Sequence, residues 1–318
     1  MSNEQSTEKI ACVIEACLEK NPCGVEVFYN EPMARHCTFK TGGAADCLIR
    51  PFGDGFPDFA AALLGAARAE GVGVFILGGG ANILVADAGI RGIVLDCGGW
   101  AGEEDNREGV FRLRAGTSMD DAAAIAERKG LSGLEFLAGM PGSIGGAVWM
   151  NARCYGQEIA DVLTETEIID FSLSPPETLR LTACKNDFGY KRSPFQGRDA
   201  LILSAAFRLV PGDPGRIGER MDANRRDREE KGHYRFPSAG SVFKNNPEFG
   251  KPSGKIIDEL GLRGLQKGGA QVAPWHGNFI INTGGATSED IRALTEEVAA
   301  RVKNATGFTL EPEILFIK

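Results

Sequence analysis

LGGGANILV, residues 77–85, and LAGMPGSIGGAVWMNA, residues 137–152, are the two stretches on which the reading of this chain turns. The first sets Gly78, Gly79 and Gly80 directly after a short apolar run, VFIL at 74–77. The second sets Gly139, Gly142, Gly145 and Gly146 around Pro141 and Ser143, then enters an apolar stretch that reads as helix. Without Cβ atoms, such loops let several amide N–H groups close on one anion. Neither fits the common nucleotide fingerprints. A G-x-G-x-x-G starting at Gly78 needs glycine at 83, which is Ile83, and no G-x-x-x-x-G-K-[ST] occurs. One such loop alone reads equally well as a tight structural turn. Two uncharged loops in one half of an acidic chain favour a nucleotide-type cofactor.

Working outward, the 318 residues are 43% hydrophobic and 25% charged, which excludes a disordered tail, a fibre or a coiled-coil rod. The net charge of −8 argues against nucleic acid or an anionic membrane as partner, so any phosphate must be gripped locally. The 8 cysteines form no Cys-x-x-Cys pair and there are only 3 histidines, so metal-ligand spacing is absent and no metal is expected. Buried free thiols in a reducing cytosol are the expectation. The N-terminus carries Glu4, Glu8, Glu15 and Glu19 and no basic start, so no signal peptide is expected. The uncharged runs 136–152 and 268–288 are broken by glycine, proline or polar residues and cannot span a bilayer. A cytoplasmic protein is expected.

The remaining pattern is α+β. Ile10, Val13, Ile14, Cys17 and Leu18 make one face of a first helix. Strands are expected at 46–50 (closed by Pro51), 74–77, 93–96, 110–115, 163–173, 178–182 and 200–209, and helices at 58–70 and 118–129. A turn-rich break at 211–216 precedes a charged helix over 215–231. In the clearest helix, 287–304, Thr287 caps, Asp290 closes the box, Ile291, Leu294, Val298 and Val302 form the buried stripe, and Gly307 stops it. A terminal strand is expected over 308–317, with Glu311, Glu313, Leu315 and Ile317 on one side.

FKTGGAAD (39–46), 77–96 and 134–161 resemble the FAD-binding half of the MurB family of UDP-N-acetylenolpyruvoylglucosamine reductases. FGYKRSPF (188–195), PSAGSVFKN (237–245), GGAQV (268–272), NFIINTGGAT (278–287) and LEPEI (310–314) continue the resemblance in order. It implies a vanillyl-alcohol-oxidase (PCMH) type FAD domain over 31–210, in subdomains of about 31–96 and 97–210. A helix over 1–30 precedes it and an α+β substrate domain over 211–318 follows. It also implies non-covalent FAD, NADPH as co-substrate and UDP-N-acetylglucosamine enolpyruvate as substrate. A monomer is implied, in the subclass without a substrate-covering tyrosine loop, since the span from Tyr190 to Ser241 is short.

The same resemblance assigns roles. Gly78, Gly79, Gly80, Ala81 and Asn82, with Gly139, Pro141, Gly142, Ser143, Gly145 and Gly146, would contact the flavin nucleotide. Ser241 is marked as proton donor, with Ser238 set aside as structural. Glu313 falls in the active site, near the substrate carboxylate or its cationic partner. The family's catalytic arginine lies in Tyr-Arg-x-Ser, whereas this chain reads Tyr190-Lys191-Arg192-Ser193. Strict alignment favours Lys191, which keeps the charge but loses the planar fork; Arg192 is the alternative. Tyr190, Arg192, Arg225, Lys231, Lys244, Asn245 and Gln271 are the implied substrate ligands, although 225–238 by composition alone reads as a solvated helix face. His36 and His276 show no nucleophile or metal partner in the sequence and read as bystanders. A related oxidase of alcohols or hydroxy acids, and a non-catalytic nucleotide-sugar binding module, are the competing readings.

Overall fold

Ile10, Val13, Ile14 and Cys17 are all buried, on a helix that runs Asn3–Lys20 (α1). The computed structural model describes residues 3–104 and 110–318, so the first two residues of the expected 1–30 segment lie outside the described ones. After α1 come β1 (Gly24–Pro32), β2 (Ala44–Phe52), α2 (Phe56–Ala69), β3 (Val74–Leu77), β4 (Ile83–Val85), β5 (Ile90–Asp96) and β6 (Phe111–Arg114). Next are α3 (Met119–Arg128), α4 (Ile144–Met150), β7 (Leu163–Asp170), β8 (Glu177–Thr182), β9 (Ala200–Phe207) and α5 (Pro214–Glu230). The last are α6 (Ser253–Glu259), β10 (Gln266–Lys267), β11 (Ala270–Val272), β12 (Ile280–Asn282), α7 (Ser288–Thr306) and β13 (Leu315–Ile317). The chain forms two compact units.

The first unit comprises Met1–Glu31, Asp46–Gly79 and Arg91–Arg225. One four-stranded sheet has the order β1-β2-β5-β3, with β3 parallel to β5 in the register Val74↔Ile93 to Leu77↔Asp96. The other has the order β8-β7-β9-β6 and is antiparallel. Its central strands are buried on both faces. Ile168, Ile202, Ala205 and Phe207 join one core cluster, while Ile169, Leu201 and Leu203 join the cluster of α1 and α2. Period-two alternation splits the neighbours 168 and 169, and 201 and 202, between opposite faces, which explains the almost unbroken apolar run of β9. Phe56 stacks on Trp100 at 5.2 Å in the α1–α2 cluster. Pro51 does not close β2, which continues to Phe52. A proline so near a strand end forfeits one ladder donor and leaves the rest of the pairing intact.

The second unit comprises Pro32–Ala45, Gly80–Ile90 and Arg226–Lys318. It holds the three-stranded antiparallel sheet β10-β11-β12 and the parallel pair β13–β4, Leu315↔Ile83 to Ile317↔Val85. Helix α7 follows its sequence signals closely. Thr287 caps it, Asp290 closes the box, and Gly307 ends it at φ 80°. Ile291, Leu294, Val298 and Val302 are buried. The expected strand over 308–317 is real only at Leu315–Ile317. Upstream, Pro312, which has no N–H to donate, makes an isolated bridge with Phe243. A bend at Ile314 then hands the chain to β4. Glu311 is exposed and Glu313 buried, so the two do not share one row.

All 8 cysteines are free thiols. Cys17, Cys37, Cys47 and Cys97 are buried, whereas Cys12 and Cys184 are exposed, a departure from the all-buried expectation. Burial pushes the Cys47 thiol up to about 12, far from reactive thiolate.

Candidate active site

In the second unit the segment after Gly240 is a short extended stretch with an isolated bridge on each edge. Ser241 bridges Phe279, and the Val242 amide donates to the Asn278 carbonyl at 2.9 Å. On its other edge the Glu313 amide donates to the Val242 carbonyl at 2.7 Å, and the Lys244 amide to the Glu311 carbonyl at 2.9 Å. Val242 and Phe243 are buried and Ser241 is half-buried. Glu313, only 8% exposed, is a carboxylate placed among apolar neighbours in sequence. Its carbonyl accepts from Asn82 Nδ2 at 3.0 Å, and the Asn82 carbonyl accepts the Leu315 amide at 2.9 Å. One unit therefore ties together Ser241, Glu313 and Asn82 through backbone ladders. Gly240 sits at φ 72°, and a Cβ placed on it would meet nothing within 4 Å.

Asn278, 4% exposed, organises this stretch. Its Oδ1 accepts the Phe243 amide at 2.9 Å and its Nδ2 donates to the Phe243 carbonyl at 2.8 Å. His276 and His233 both pack on Phe279, with ring centroids 4.3 and 4.8 Å away. Burial, followed by the positive charge of Arg228 and the nearby His276 and Lys231, pushes His233 down to about 4.

In the first unit the two glycine loops touch. The Gly79 amide donates to Ser143 Oγ at 3.2 Å. A Cβ on Gly79 would lie 2.5 Å from the Gly142 Cα, and one on Gly78 2.7 Å from Ser143 Oγ. Gly145 meets Ala115 in the same way, at 2.9 Å, and the amides of Ile144 and Gly145 are spent on the Thr117 and Ala115 carbonyls, both at 2.8 Å. The Gly139 amide is taken by Asp120 at 2.8 Å. Several glycines are thus required by close approach of the chain to itself. Gly79, Pro141 and Gly146 nevertheless face solvent, residues 137–152 carry no charge, and Gly139 and Gly142 adopt positive φ. Ser143 is buried, its Oγ taking the Gly79 and Gly146 amides, so the donor chemistry left on this uncharged surface is that of neutral backbone amides, which fits a dinucleotide's diphosphate. Gly80, at φ 61°, belongs to the second unit, where a Cβ would strike the His36 carbonyl at 2.0 Å.

Tyr190 and Lys191 form the tip of a tight turn closed by reciprocal Gly189–Arg192 backbone bonds of 3.0 and 3.1 Å. Lys191 is left-handed at φ 56° and half-buried, while Arg192 is exposed. The turn is tied to the C-terminal end of α4. Asn151, fully buried at φ 46°, donates from Nδ2 to the Gly189 carbonyl at 3.0 Å and accepts the Ala160 amide at 3.0 Å. Ser193 Oγ donates to the Trp149 carbonyl at 2.6 Å, and Gln196 Nε2 donates to the carbonyls of Trp149 and Lys191, both at 3.1 Å.

The other implied ligands are engaged locally. Arg225 forks onto Asp120 at 2.9 and 3.1 Å, the carboxylate that also holds Gly139. Lys231 pairs with Asp227 at 2.8 Å, and Lys244 pairs with Glu311. Asn245 Oδ1 accepts the Ser253 amide at 2.9 Å, and Gln271 Nε2 reaches the Gly264 carbonyl at 3.3 Å. Sequence reasoning did not single out Asn278, Asn151 or Gln196 as organisers of these segments, and it read His276 as a bystander. For Asn151 a signal existed, since asparagine just past a short helix is the side chain that tolerates the left-handed cap. Among the described residues no cluster of three His, Cys, Asp or Glu could hold a metal, and no helix is long and apolar enough to cross a membrane.

Comparison with known proteins gives a consistent result. The family pattern described as UDP-N-acetylenolpyruvoylglucosamine reductase, C-terminal domain, matches residues 232–317, and that of an FAD binding domain matches 58–172. A UDP-N-acetylenolpyruvoylglucosamine reductase of Treponema pallidum is 40% identical, over 90% of this chain and 92% of that protein. Its namesake in Borreliella burgdorferi is 42% identical over 90% and 92%. Among solved structures, UDP-N-acetylenolpyruvylglucosamine reductase (MurB) from Thermus caldophilus superposes with a TM-score of 0.72 at 30% identity, covering 93% of this chain and 100% of that one.

Proposed function

The chain belongs to the MurB family of UDP-N-acetylenolpyruvoylglucosamine reductases, and from that premise we propose how its own residues divide the work. It is an FAD-dependent oxidoreductase that uses NADPH to reduce UDP-N-acetyl-3-O-(1-carboxyvinyl)-glucosamine to UDP-N-acetylmuramate, a step of peptidoglycan synthesis. When bound, the flavin supplies the hydride that adds to the vinyl carbon. Charge then gathers on the adjacent carbon and its carboxylate, and the protein must balance that charge and deliver one proton.

The observation that carries the assignment of roles is the pairing of the Ser241 stretch with the Glu313 segment through the 2.7 Å bond between Glu313 N–H and the Val242 carbonyl. We assign the proton to Ser241 Oγ. A hydroxyl is a weak acid in water, but the carbanion it meets is strongly basic, so a fixed hydroxyl suffices. Glu313, buried and anchored by its backbone on both sides, orients the substrate carboxylate end or its cationic partner. Lys191 is the assigned cation, since its left-handed backbone is held by Gln196 and its side chain is half-buried, whereas Arg192 is exposed. Tyr190 is assigned to substrate contact.

Flavin binding is assigned to Gly78–Asn82 and Gly139–Gly146, without a covalent tether. Gly79, Gly139, Met140, Ile144, Gly145 and Gly146 already donate their amides to protein acceptors, so the diphosphate is assigned to the remaining amides of these loops. Arg225, Lys231, Lys244, Asn245 and Gln271 remain the assigned substrate ligands; each would exchange a present partner for substrate. We assign cofactor binding to 31–210 and substrate binding to 211–318, a division supported by family patterns that fall on either side of 211–216. β9 and α5 take up about half of the span from Tyr190 to Ser241, in keeping with the subclass that lacks the tyrosine loop. We further infer a cytoplasmic monomer with no nucleic-acid or membrane partner, in keeping with the net charge of −8.

Two half-reactions test this reading. Purified protein should be yellow and bleach anaerobically with NADPH. The reduced protein should then be re-oxidised by the enolpyruvyl nucleotide, and hydroxy acids should fail to bleach the oxidised protein. Bleaching of the oxidised flavin by hydroxy acids, or no re-oxidation of the reduced flavin by the nucleotide, rejects it.

A further inference from the structure

Asn278 satisfies four hydrogen-bonding groups at once. Its carbonyl accepts the Val242 amide at 2.9 Å, its Oδ1 the Phe243 amide at 2.9 Å, and its Nδ2 donates to the Phe243 carbonyl at 2.8 Å. Its own amide donates to His276 Nδ1 at 3.1 Å. His276 sits in the loop joining β11 to β12, which is closed by the Ala273 amide on the Phe279 carbonyl at 2.8 Å. Its ring rests on Phe279, the bridge partner of Ser241, and a Cβ on Gly254 of α6 would lie 3.4 Å from its Cε1. Glycine is required at 277, where a Cβ would lie 2.4 Å from Asp258 Oδ1. The loop is therefore packed from α6 as well as from the Ser241 stretch.

We propose that His276, acting through Asn278, is a positioning residue for Ser241: the imidazole Nδ1 fixes the Asn278 backbone, and Asn278 fixes the stretch that carries the hydroxyl. This rests on the reading of Ser241 as proton donor. The acceptor role requires Nδ1 to be unprotonated, so protonating the ring removes the bond. The surroundings keep the ring neutral. Burial acts most strongly, Asp258 on α6 and a hydrogen bond to the residue's own backbone oppose it, and Arg263 and Lys231 reinforce it, with a net downward direction. His233, on the same Phe279 ring, is held neutral as well.

Two variants of the FAD-loaded enzyme separate this role from general packing. His276→Leu removes the acceptor. His276→Asn places a side-chain carbonyl where it can accept the amide two residues on, as asparagine does in turns. The readouts are hydrogen exchange at the Val242 and Phe243 amides and the two flavin half-reactions in single turnover. In His276→Leu, exchange at both amides accelerates, re-oxidation by the enolpyruvyl nucleotide slows by about 10- to 100-fold, and reduction by NADPH is unchanged. His276→Asn restores both. Wild-type re-oxidation falls in acid, at a pH below the usual imidazole range, and the His276→Asn enzyme lacks that acid limb. Wild-type exchange and re-oxidation in His276→Leu, or no rescue by asparagine, overturns the proposal. Where His276→Leu yields no flavin-loaded protein, identical pH profiles for wild type and His276→Asn overturn it. Ser241→Ala is run alongside. If it re-oxidises at the wild-type rate, the underlying reading fails; if it is slow while His276→Leu is fast, only the positioning role fails.

Discussion

Glu313 and Val242 are joined by a 2.7 Å backbone hydrogen bond, which sets a buried carboxylate residue beside the extended stretch that begins at Ser241. The bond uses the Glu313 amide, not its side chain.

Glu313→Gln should accordingly leave the fold and flavin content intact while lowering the rate of re-oxidation by the enolpyruvyl nucleotide by about 100-fold. Thermal unfolding and flavin absorbance check the first half, and single-turnover kinetics the second. A fall in flavin content equal to the fall in rate would mean that the carboxylate holds the fold and not the substrate.

Lys191 is a non-glycine residue at φ 56°, a conformation that costs an ordinary side chain roughly 1–2 kcal/mol. Glycine relieves that strain but loses backbone order in the unfolded chain, so Lys191→Gly should be neutral or more stable by up to about 1 kcal/mol. Re-oxidation should nevertheless drop steeply, and Lys191→Arg should recover much of it through the guanidinium fork. Loss of stability together with activity in Lys191→Gly would argue that the turn needs the lysine for packing.

Gly79→Ala tests the cradle. Its Cβ would lie 2.5 Å from the Gly142 Cα, backbone against backbone, so the loops must part. The variant should purify with markedly less FAD, read as the ratio of flavin to protein absorbance. Full flavin content would show that the contact between the loops is dispensable for binding.

The elements that could be read in advance carry their signals locally. Thr287, Asp290 and Gly307 define α7 because a helix end needs its own amides and carbonyls satisfied by adjacent residues. Glycine loops 77–82 and 137–146 are visible for the same reason. What could not be read depends on distant partners. Whether 308–317 is a strand depends on β4, more than 200 residues earlier, having only Ile83–Val85 to offer. The second unit draws in Pro32–Ala45 and Gly80–Ile90, and no compositional break marks where those segments leave the first unit. Asn278 and His276 gain meaning only beside Phe243 and Ser241. The left-handed turn at Lys191 depends on Gln196 and on Asn151, which only the fold brings to it.

Stability should depend on acid through the buried imidazoles. His233 is pushed to about 4 in the folded protein against about 6.5 unfolded. Between these values the unfolded chain binds a proton that the folded one does not, so stability is full above about pH 6.5 and falls as pH drops toward 4. Urea midpoints at pH 7.5 and 5 check this, and His233→Phe, which keeps an aromatic ring against Phe279, should flatten the slope. An unchanged slope in that variant would assign the acid sensitivity to other groups.

The most direct measurement is anaerobic single turnover with Ser241→Ala. Reduction of its bound flavin by NADPH should match the wild type, while re-oxidation by UDP-N-acetylenolpyruvoylglucosamine should slow by about 100- to 10,000-fold, the loss expected when a proton donor is removed. Equal slowing of both steps, or of neither, would contradict the assignment of the proton to Ser241.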